Sequence, residues 1–222
     1  MFPALFTVFT MSDQRETILA AAIELYLREG FEGFSMRKLG RELGVTAPAL
    51  YRHYEGKEHV LAEIMREAHR TFMSTIYRAL EAPTALDRFF RAGEGYLDFS
   101  LGHPRWYALM FSGPAQIGME KFPEDIEAMG AAIHQFWIDR VRECMDAGIL
   151  KEGDPVQTSL TLWAHAHGLV ELYHRGHFQI DVTQFRALFE ASGARLMSGV
   201  ATEAFAEELA QKYLNAEAAL NA

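Results

Sequence analysis

Apolar residues recur every three or four positions along most of this chain, which is the spacing of an amphipathic helix. The longest clear example is segment 57–80, where the apolar positions are Val60, Leu61, Ile64, Ala68, Phe72, Ile76 and Leu80. No stretch shows the sustained alternation of apolar and polar residues that a half-buried strand requires. The pattern therefore predicts an all-α protein without a β-sheet.

Glycine and proline positions divide this pattern into separate helices. A first helix is expected over residues 14–29, with Gly30 as the residue that ends it. A long helix should run from Lys57 to about Pro83. Further helices are expected over residues 85–101, 104–111, 126–147, 156–175, 185–199 and 202–219.

Between the first helix and the long one lie two short helical segments. Ser35 can cap the first segment and Gly44 ends it. Thr46 can cap the second, with Pro48 in the first turn, where its missing N–H costs nothing. Two short helices joined by a glycine-containing turn are typical of a helix-turn-helix, whose second helix enters a DNA major groove about 12 Å wide.

The helical wheel of the second segment indicates which of its sides would contact DNA. Leu50 and Tyr54 fall together and should face the core with Val45, Leu39 and Leu43. Arg52, on the opposite side, can donate two hydrogen bonds to a guanine edge. Thymine contacts are expected from Thr46, Pro48 and Ala49, and phosphate contacts from Ser35, Arg37, Tyr51, His53 and Lys57. On the alternative interpretation these are ordinary solvated side chains.

The charge distribution supports the DNA-binding interpretation, although the chain as a whole has a net charge of −9. Residues 35–57 contain five basic and two acidic residues, so this window carries +3 and the rest carries −12. One compact basic patch can face phosphates while the acidic remainder discourages indiscriminate binding.

The string GVTAPALYRHYEGKEHVL, within residues 15–64, resembles the signature of the TetR family. The resemblance implies a three-helix head joined by a long helix to a divergent helical body that binds a ligand and dimerises. It also implies a repressor released by a small molecule from double-stranded DNA carrying a palindromic operator. Ala47 departs from the pattern, since many members have lysine there, so readout should depend more on Arg52 and Tyr51. The segment from Trp163 to Gly176 resembles the Trp/His-Gly helix of one subgroup.

We accordingly expect three regions: a leader over residues 1–11, a helix-turn-helix domain over 12–57, and a ligand-binding and dimerisation domain over 58–222. The leader lacks the basic region and cleavage site of a signal peptide. It should be disordered or pack only locally, and Met11 is an alternative translation start. The single cysteine, Cys144, and the absence of a long apolar run favour the cytoplasm over a membrane.

The body is rich in aromatic residues, which suits either an ordinary core or an apolar ligand pocket with a few polar groups. The best pocket candidates are Trp106, Phe111, His134, Trp137, Trp163 and His167. The effector should be largely apolar, and the acidic surplus favours a neutral or cationic molecule. Small residues in the segments 156–175 and 185–199 would allow helices of two copies to pack closely: Ala164, Ala166, Gly168, Ala187, Ala191, Gly193 and Ala194.

Three histidine and glutamate positions raise the question of a metal. His167, Glu171 and His174 share one helix face, as ligands must. However, Glu171 can pair with Arg175 four residues later, and we expect neither a metal nor another cofactor.

We also expect no catalytic activity, because the chain has no phosphate loop, nucleophile elbow or HExxH pair. The alternative function is a DNA-binding regulator without a small-molecule effector, controlled by a partner protein or acting as an activator.

Overall fold

The computed structural model describes residues 11–207, so the expected leader, apart from Met11, and most of the helix expected over 202–219 lie outside the described residues. Within that range the chain is helical, with no strand and one isolated antiparallel bridge between Leu150 and Ala201. The all-α prediction is confirmed. The α-helices are α1 (Met11–Gly33), α2 (Met36–Glu42), α3 (Ala47–Leu50), α4 (Lys57–Tyr77), α5 (Ala85–Gly102), α6 (Pro104–Met110), α7 (Glu124–Asp146), α8 (Pro155–His174) and α9 (Val182–Val200).

Glycine residues and capping side chains near the helix ends explain where several helices begin or change direction. Gly30 adopts φ 73° and breaks α1, so the last turn to Gly33 has a new direction. Asp154 and Asp181 accept hydrogen bonds from the first turns of α8 and α9, at 2.8 Å from Val156 N and 2.9 Å from Gln184 N. The long helix expected from Lys57 tightens into a 3₁₀ turn after Tyr77, and a second 3₁₀ turn at Pro114–Ile117 was not expected from the sequence.

The chain divides into two compact units. The first comprises the residues up to Thr71 together with Arg105–Met129. Its core contains Ala22, Leu25 and Tyr26 of α1, together with Leu39, Leu50, Leu61 and Ile64. The segment from Arg105 is attached to α1, since the Tyr26 hydroxyl donates to the carbonyl of Arg105 at 3.2 Å. The guanidinium of Arg66 on α4 binds both carboxylate oxygens of Asp125, at 2.5 and 3.0 Å.

The second unit comprises Phe72–Pro104 and the residues from Gly130. At one end, buried residues of α7, α9 and the segments after them form a continuous cluster: Val141, Cys144, Leu150, Met197, Ala201 and Phe205. The opposite end of α5 is aromatic, since the Phe72 ring packs against those of Tyr96 and Phe99 at centroid distances of 6.0 and 5.0 Å. These two packed regions fix α5, α7, α8 and α9 around a cavity described below.

Candidate DNA-binding surface and ligand cavity

The helix-turn-helix is held together by backbone contacts between α2 and the turn that follows it. Val45 N donates to the carbonyl of Gly40 at 2.9 Å. A Cβ atom on Gly40 would lie 2.9 Å from the carbonyl oxygen of Val45, so only glycine permits this approach without a shift. Gly44 turns the chain with φ 65°. Gly40 and Gly44 thus permit the tight turn between α2 and α3.

The orientation of α3 agrees with the helical-wheel analysis for most of its residues. Leu50 and Tyr54 are buried, whereas Thr46, Pro48, Tyr51 and Arg52 are exposed. Ala49 and His53 are partly buried. Tyr51 exposes 52% of its surface, which is high for an aromatic side chain on an ordered element. Thr46, Pro48, Tyr51 and Arg52 are therefore accessible to a partner from solvent, and Ala49 is accessible in part.

The expectation that Val45 faces the core is wrong. Val45 is 43% exposed, although its neighbours Leu39 and Leu50 are buried and Leu43 is partly buried. Val45 lies in the turn before Thr46, where helical spacing does not apply and an apolar side chain need not face inward. Its side chain adds an apolar group beside the exposed part of α3.

Two of the expected phosphate contacts have additional intramolecular roles. The Ser35 Oγ accepts a hydrogen bond from Lys38 N at 3.3 Å and caps α2, as expected. The ammonium of Lys57 donates to the carbonyl of Phe31 at 3.0 Å and lies 4.1 Å from the centroid of the Phe31 ring. Lys57 therefore also holds the end of α1 against the start of α4.

Ion pairs between α1 and α2 reduce the number of basic side chains that are available to bind DNA phosphates. Lys38 binds Glu29 at 2.8 Å, and Arg28 binds Glu42. Lys38 and Arg28 hold the pKa of the Glu29 carboxyl below its usual value. Within the described residues Arg37, Arg41 and Arg52 form no ion pair and are exposed, so these three guanidinium groups are the basic side chains of the region that can reach a phosphate or a base.

The second unit contains a cavity of about 520 Å³ bounded by α5, α7, α8 and α9. Six aromatic rings contribute to its wall: Phe89, Phe90, Tyr96, Trp137, Trp163 and Phe189. Gly93 of α5 and Gly193 of α9 leave open space at their Cβ positions. The volume and the aromatic wall are typical of a site for a small organic molecule.

The expected pocket residues are not all brought together. Trp137 and Trp163 line the cavity, whereas His134 and His167 do not. Both histidines contact Trp163: the His167 ring stacks on the indole at 5.1 Å, and the His134 ring meets it edge-on at 5.5 Å. Trp106 and Phe111 belong to the first unit and do not line this cavity.

Burial lowers the pKa of the His167 imidazole below its ordinary value, because desolvation disfavours the charged form. Its Nδ1 lies 3.4 Å from the hydroxyl of Tyr96, which lines the cavity. His167 and His134 thus position a wall residue, Trp163, from outside the cavity.

Sequence analysis missed Phe189 as a wall residue. The signal was present, because Phe189, Gly193 and Met197 follow one another at intervals of four on a single face of α9. Gly193 and Ala194, together with Ala166 on α8, were expected to allow helices to pack closely; in the structure they line the cavity.

The residues considered as metal ligands have other partners. Glu171 binds the guanidinium of Arg175 at 3.0 Å, and the Nε2 of His174 lies 3.0 Å from the carbonyl oxygen of Ser100. Over residues 11–207, no three histidine, cysteine or acidic side chains gather in a group that could hold a metal ion. In the same range, no helix combines the length and apolar character that crossing a membrane requires.

Two family models match the chain, one in each half. Residues 18–64 match the family described as "Bacterial regulatory proteins, tetR family", and residues 89–196 match the "Tetracyclin repressor-like, C-terminal domain". The first match contains α2, α3 and the start of α4. The second contains nearly all of the cavity wall.

Curated relatives are regulators as well. An HTH-type transcriptional regulator of Mycobacterium tuberculosis is 23% identical over 151 residues, which is 65% of this chain and 64% of the relative. The match thus spans somewhat less than two thirds of that protein. The tetracycline repressor protein class C of Escherichia coli is 40% identical over 62 residues, which is 28% of each chain.

Solved structures share the fold. A protein of unknown function from Rhodococcus sp. RHA1 superposes with a TM-score of 0.74 at 24% identity, covering 88% of this chain and 100% of that one. The transcriptional regulator FadR of Bacillus subtilis, solved in complex with stearoyl-CoA, superposes with a TM-score of 0.65 at 17% identity, covering 83% and 98%. Taken with the two family matches and the exposed surface of α3, these findings establish that the chain belongs to the TetR family of bacterial transcriptional regulators.

Proposed function

We propose that this protein is a dimeric repressor that binds a palindromic operator through α3 and is released by a small, largely apolar ligand bound in the cavity of the second unit. The observation that carries the proposal is the division of α3 and the turn that follows it into a buried and an exposed side. Leu50 and Tyr54 are buried, while Tyr51 and Arg52 face solvent. An exposed tyrosine beside an arginine that forms no ion pair within residues 11–207 is poorly suited to water and well suited to a DNA groove.

Direct readout is assigned to the exposed part of α3. Arg52 is the residue suited to a bidentate contact with guanine, and the methyl and methylene groups of Thr46, Pro48 and Ala49 are suited to thymine. Ser35, Arg37, Tyr51, His53 and Lys57 are assigned to the phosphates. Because Lys57 also binds Phe31, its contact would position the head while helping to hold it together.

Dimerisation is supported by an exposed apolar stripe on α8. Residues at intervals of four along this helix are apolar or small: Val156, Leu160, Ala164, Gly168 and Leu172. Val156, Leu160 and Leu172 expose 52%, 58% and 41% of their surfaces, and the Cβ position of Gly168 has open space. A second copy packed on this stripe would bury it and give two recognition helices, which span successive major grooves when they lie roughly 34–36 Å apart.

The cavity favours a small-molecule effector over the alternative of a regulator without one. A protein controlled only by a partner needs no internal space, whereas this cavity has a volume of about 520 Å³. That FadR of Bacillus subtilis was solved with stearoyl-CoA supports assigning the cavity to a largely apolar ligand. Ligand binding would release DNA only if the ligand binds the free protein more tightly than the DNA-bound protein.

Selection of binding sites from a random duplex library would test the DNA-binding part. We expect the purified protein to recover a palindromic site and Arg52→Ala to lose that preference, whereas Tyr51→Ala, at an assigned phosphate contact, should weaken binding to all sequences. Arg78→Ala is the matched control, because Arg78 is exposed but lies outside the head. Recovery of no preferred sequence, or equal selection by the Arg52→Ala variant, would contradict the assignment of α3.

A further inference from the structure

The chemical class of the ligand can be inferred from the wall and the rim of the cavity, an inference that rests on the proposed function of this site. The wall is aromatic, because the indoles of Trp137 and Trp163 line the cavity together with rings from α5 and α9. Aromatic faces carry negative electrostatic potential, so they attract an organic cation as well as apolar groups. The wall thus accepts hydrocarbon and favours a positive charge over a negative one.

The rim is acidic. Asp87 and Glu94 of α5 and Glu190 of α9 line the cavity and are exposed, which places their carboxylates at its opening. Two arginines, Arg91 and Arg186, also line it. The rim therefore carries three negative and two positive charges.

One of these positive charges is neutralised by a neighbour. The guanidinium of Arg186 binds the carboxylate of Asp98 on α5 at 2.6 Å. Within the described residues Arg91 and Glu94 form no ion pair, so Arg91 is the one rim cation available to an anionic ligand. The carboxylates of Asp87 and Glu94 outnumber it, so a ligand with a negative head group would be repelled at the opening.

We propose that the cavity binds a lipophilic amine in its protonated form, with its apolar part between the aromatic rings and its ammonium group at the rim beside Glu94 and Glu190. This class differs from the stearoyl-CoA bound to FadR, whose polar part is anionic. The ligand sought is thus an organic cation with a hydrocarbon or aromatic body.

The test compares three probes that share one hydrocarbon chain: dodecylamine, dodecanol and dodecanoate, used below their aggregation concentrations. Binding is followed by the fluorescence of Trp137 and Trp163 in a Trp106→Phe variant, because the chain has three tryptophans and Trp106 does not line the cavity. We expect dodecylamine to bind at least tenfold more tightly than dodecanoate, with dodecanol between them. Its affinity should fall as salt is added, while that of dodecanol should not.

Two variants connect this preference to the structure. Glu94→Gln combined with Glu190→Gln should lower the affinity for dodecylamine about fivefold and leave dodecanol unchanged. Glu152→Gln, at an exposed glutamate outside the cavity, is the control for net charge. Gly193→Leu should abolish binding of the probes by filling the cavity, whereas Gly130→Leu, at a helical position with equal open space and no part in the wall, should not.

Any other order of the three probes would overturn the assignment, as would failure of all three to bind. A preference for dodecylamine that survives the Glu94 and Glu190 substitutions would overturn the role of the rim. These outcomes are separate from the DNA experiment. If the protein selects an operator but prefers dodecanoate, the proposed function stands and the ligand class is wrong. If it binds dodecylamine but selects no DNA sequence, the ligand class stands and the proposed DNA-binding function is wrong.

Discussion

Cys144 is fully buried in the second unit, where α7 packs against the beginning of α5. Its Sγ donates a weak hydrogen bond of 3.7 Å to the carbonyl of Ala85. Burial, reinforced by the neighbouring Glu143 carboxylate, raises the pKa of the thiol to about 11. Because the thiolate is the reactive form, this cysteine should behave as a small apolar side chain.

We predict that Cys144 does not react with a disulfide reagent at pH 8 in the folded protein and reacts at once in urea. The raised pKa also affects stability at alkaline pH. The unfolded chain loses the thiol proton near pH 9 and the folded chain near pH 11, so the stabilisation is complete below about pH 9 and is lost as the pH rises toward 11.

Urea unfolding at a series of pH values measures this loss, with Cys144→Ala as the variant that lacks the thiol. Its stability should fall less steeply between pH 9 and 11 than that of the original protein. Rapid labelling of Cys144 under native conditions would show that the thiol is accessible and contradict the prediction.

Among the short helices, the approach of α2 to the turn before α3 depends on a single glycine. A methyl group on Gly40 would meet the carbonyl oxygen of Val45 and, at 3.3 Å, the backbone nitrogen of Ala47. Both atoms belong to the backbone, so neither can move aside without shifting α3. This contact sets the angle at which the recognition helix is presented.

We predict that Gly40→Ala lowers the free energy of unfolding by about 1–3 kcal/mol and weakens operator binding. Gly130→Ala is the matched control, since Gly130 also lies in a helix but has open space at its Cβ position. That change should be neutral or stabilise the protein by about 0.5–1 kcal/mol, because alanine favours the helix. Urea unfolding and DNA titration measure both effects, and equal behaviour of the two variants would contradict the steric explanation.

For the whole molecule, the proposed dimer makes DNA affinity depend on a surface far along the chain from the head. Leu160 is the most exposed apolar residue of the α8 stripe. Placing a charge there should oppose burial of the stripe by a second copy. Loss of the dimer would leave each head to bind its half-site alone.

We predict that Leu160→Glu shifts the protein from dimer to monomer in sedimentation equilibrium and lowers operator affinity at least tenfold. Leu80→Glu is the control, since Leu80 is also an exposed leucine, at 48%, but lies outside the stripe. A Leu160→Glu protein that remains dimeric would place the interface elsewhere.

Much of the fold followed from local patterns. The spacing of apolar residues, the cap at Ser35 and the turn at Gly44 predicted the helix-turn-helix within one or two residues. These features act over three or four neighbouring positions, so a single sequence contains them. The same holds for the burial of Leu50 at the end of α3 and of Tyr54 after it, because the two residues are only four positions apart. The expected capping by Thr46 is wrong, because Thr46 precedes α3 without a capping hydrogen bond from its side chain.

The cavity could not be located from such local sequence patterns. Trp137 and Trp163 were expected to line it, but Trp106 and Phe111 belong to another unit, and Phe189 was not expected. Helical periodicity shows that an aromatic residue faces inward, without showing whether its partner there is another side chain or an empty space.

The sequence by itself determined the helices, their ends and the surface of α3 that faces outward, because caps, glycines and helical spacing are local. Only the tertiary structure decided that Lys57 binds the carbonyl of Phe31, that Val45 faces solvent, and that α5, α7, α8 and α9 leave a space with an acidic rim. Each of these depends on residues far apart in the chain, whose distances are fixed only when the helices pack.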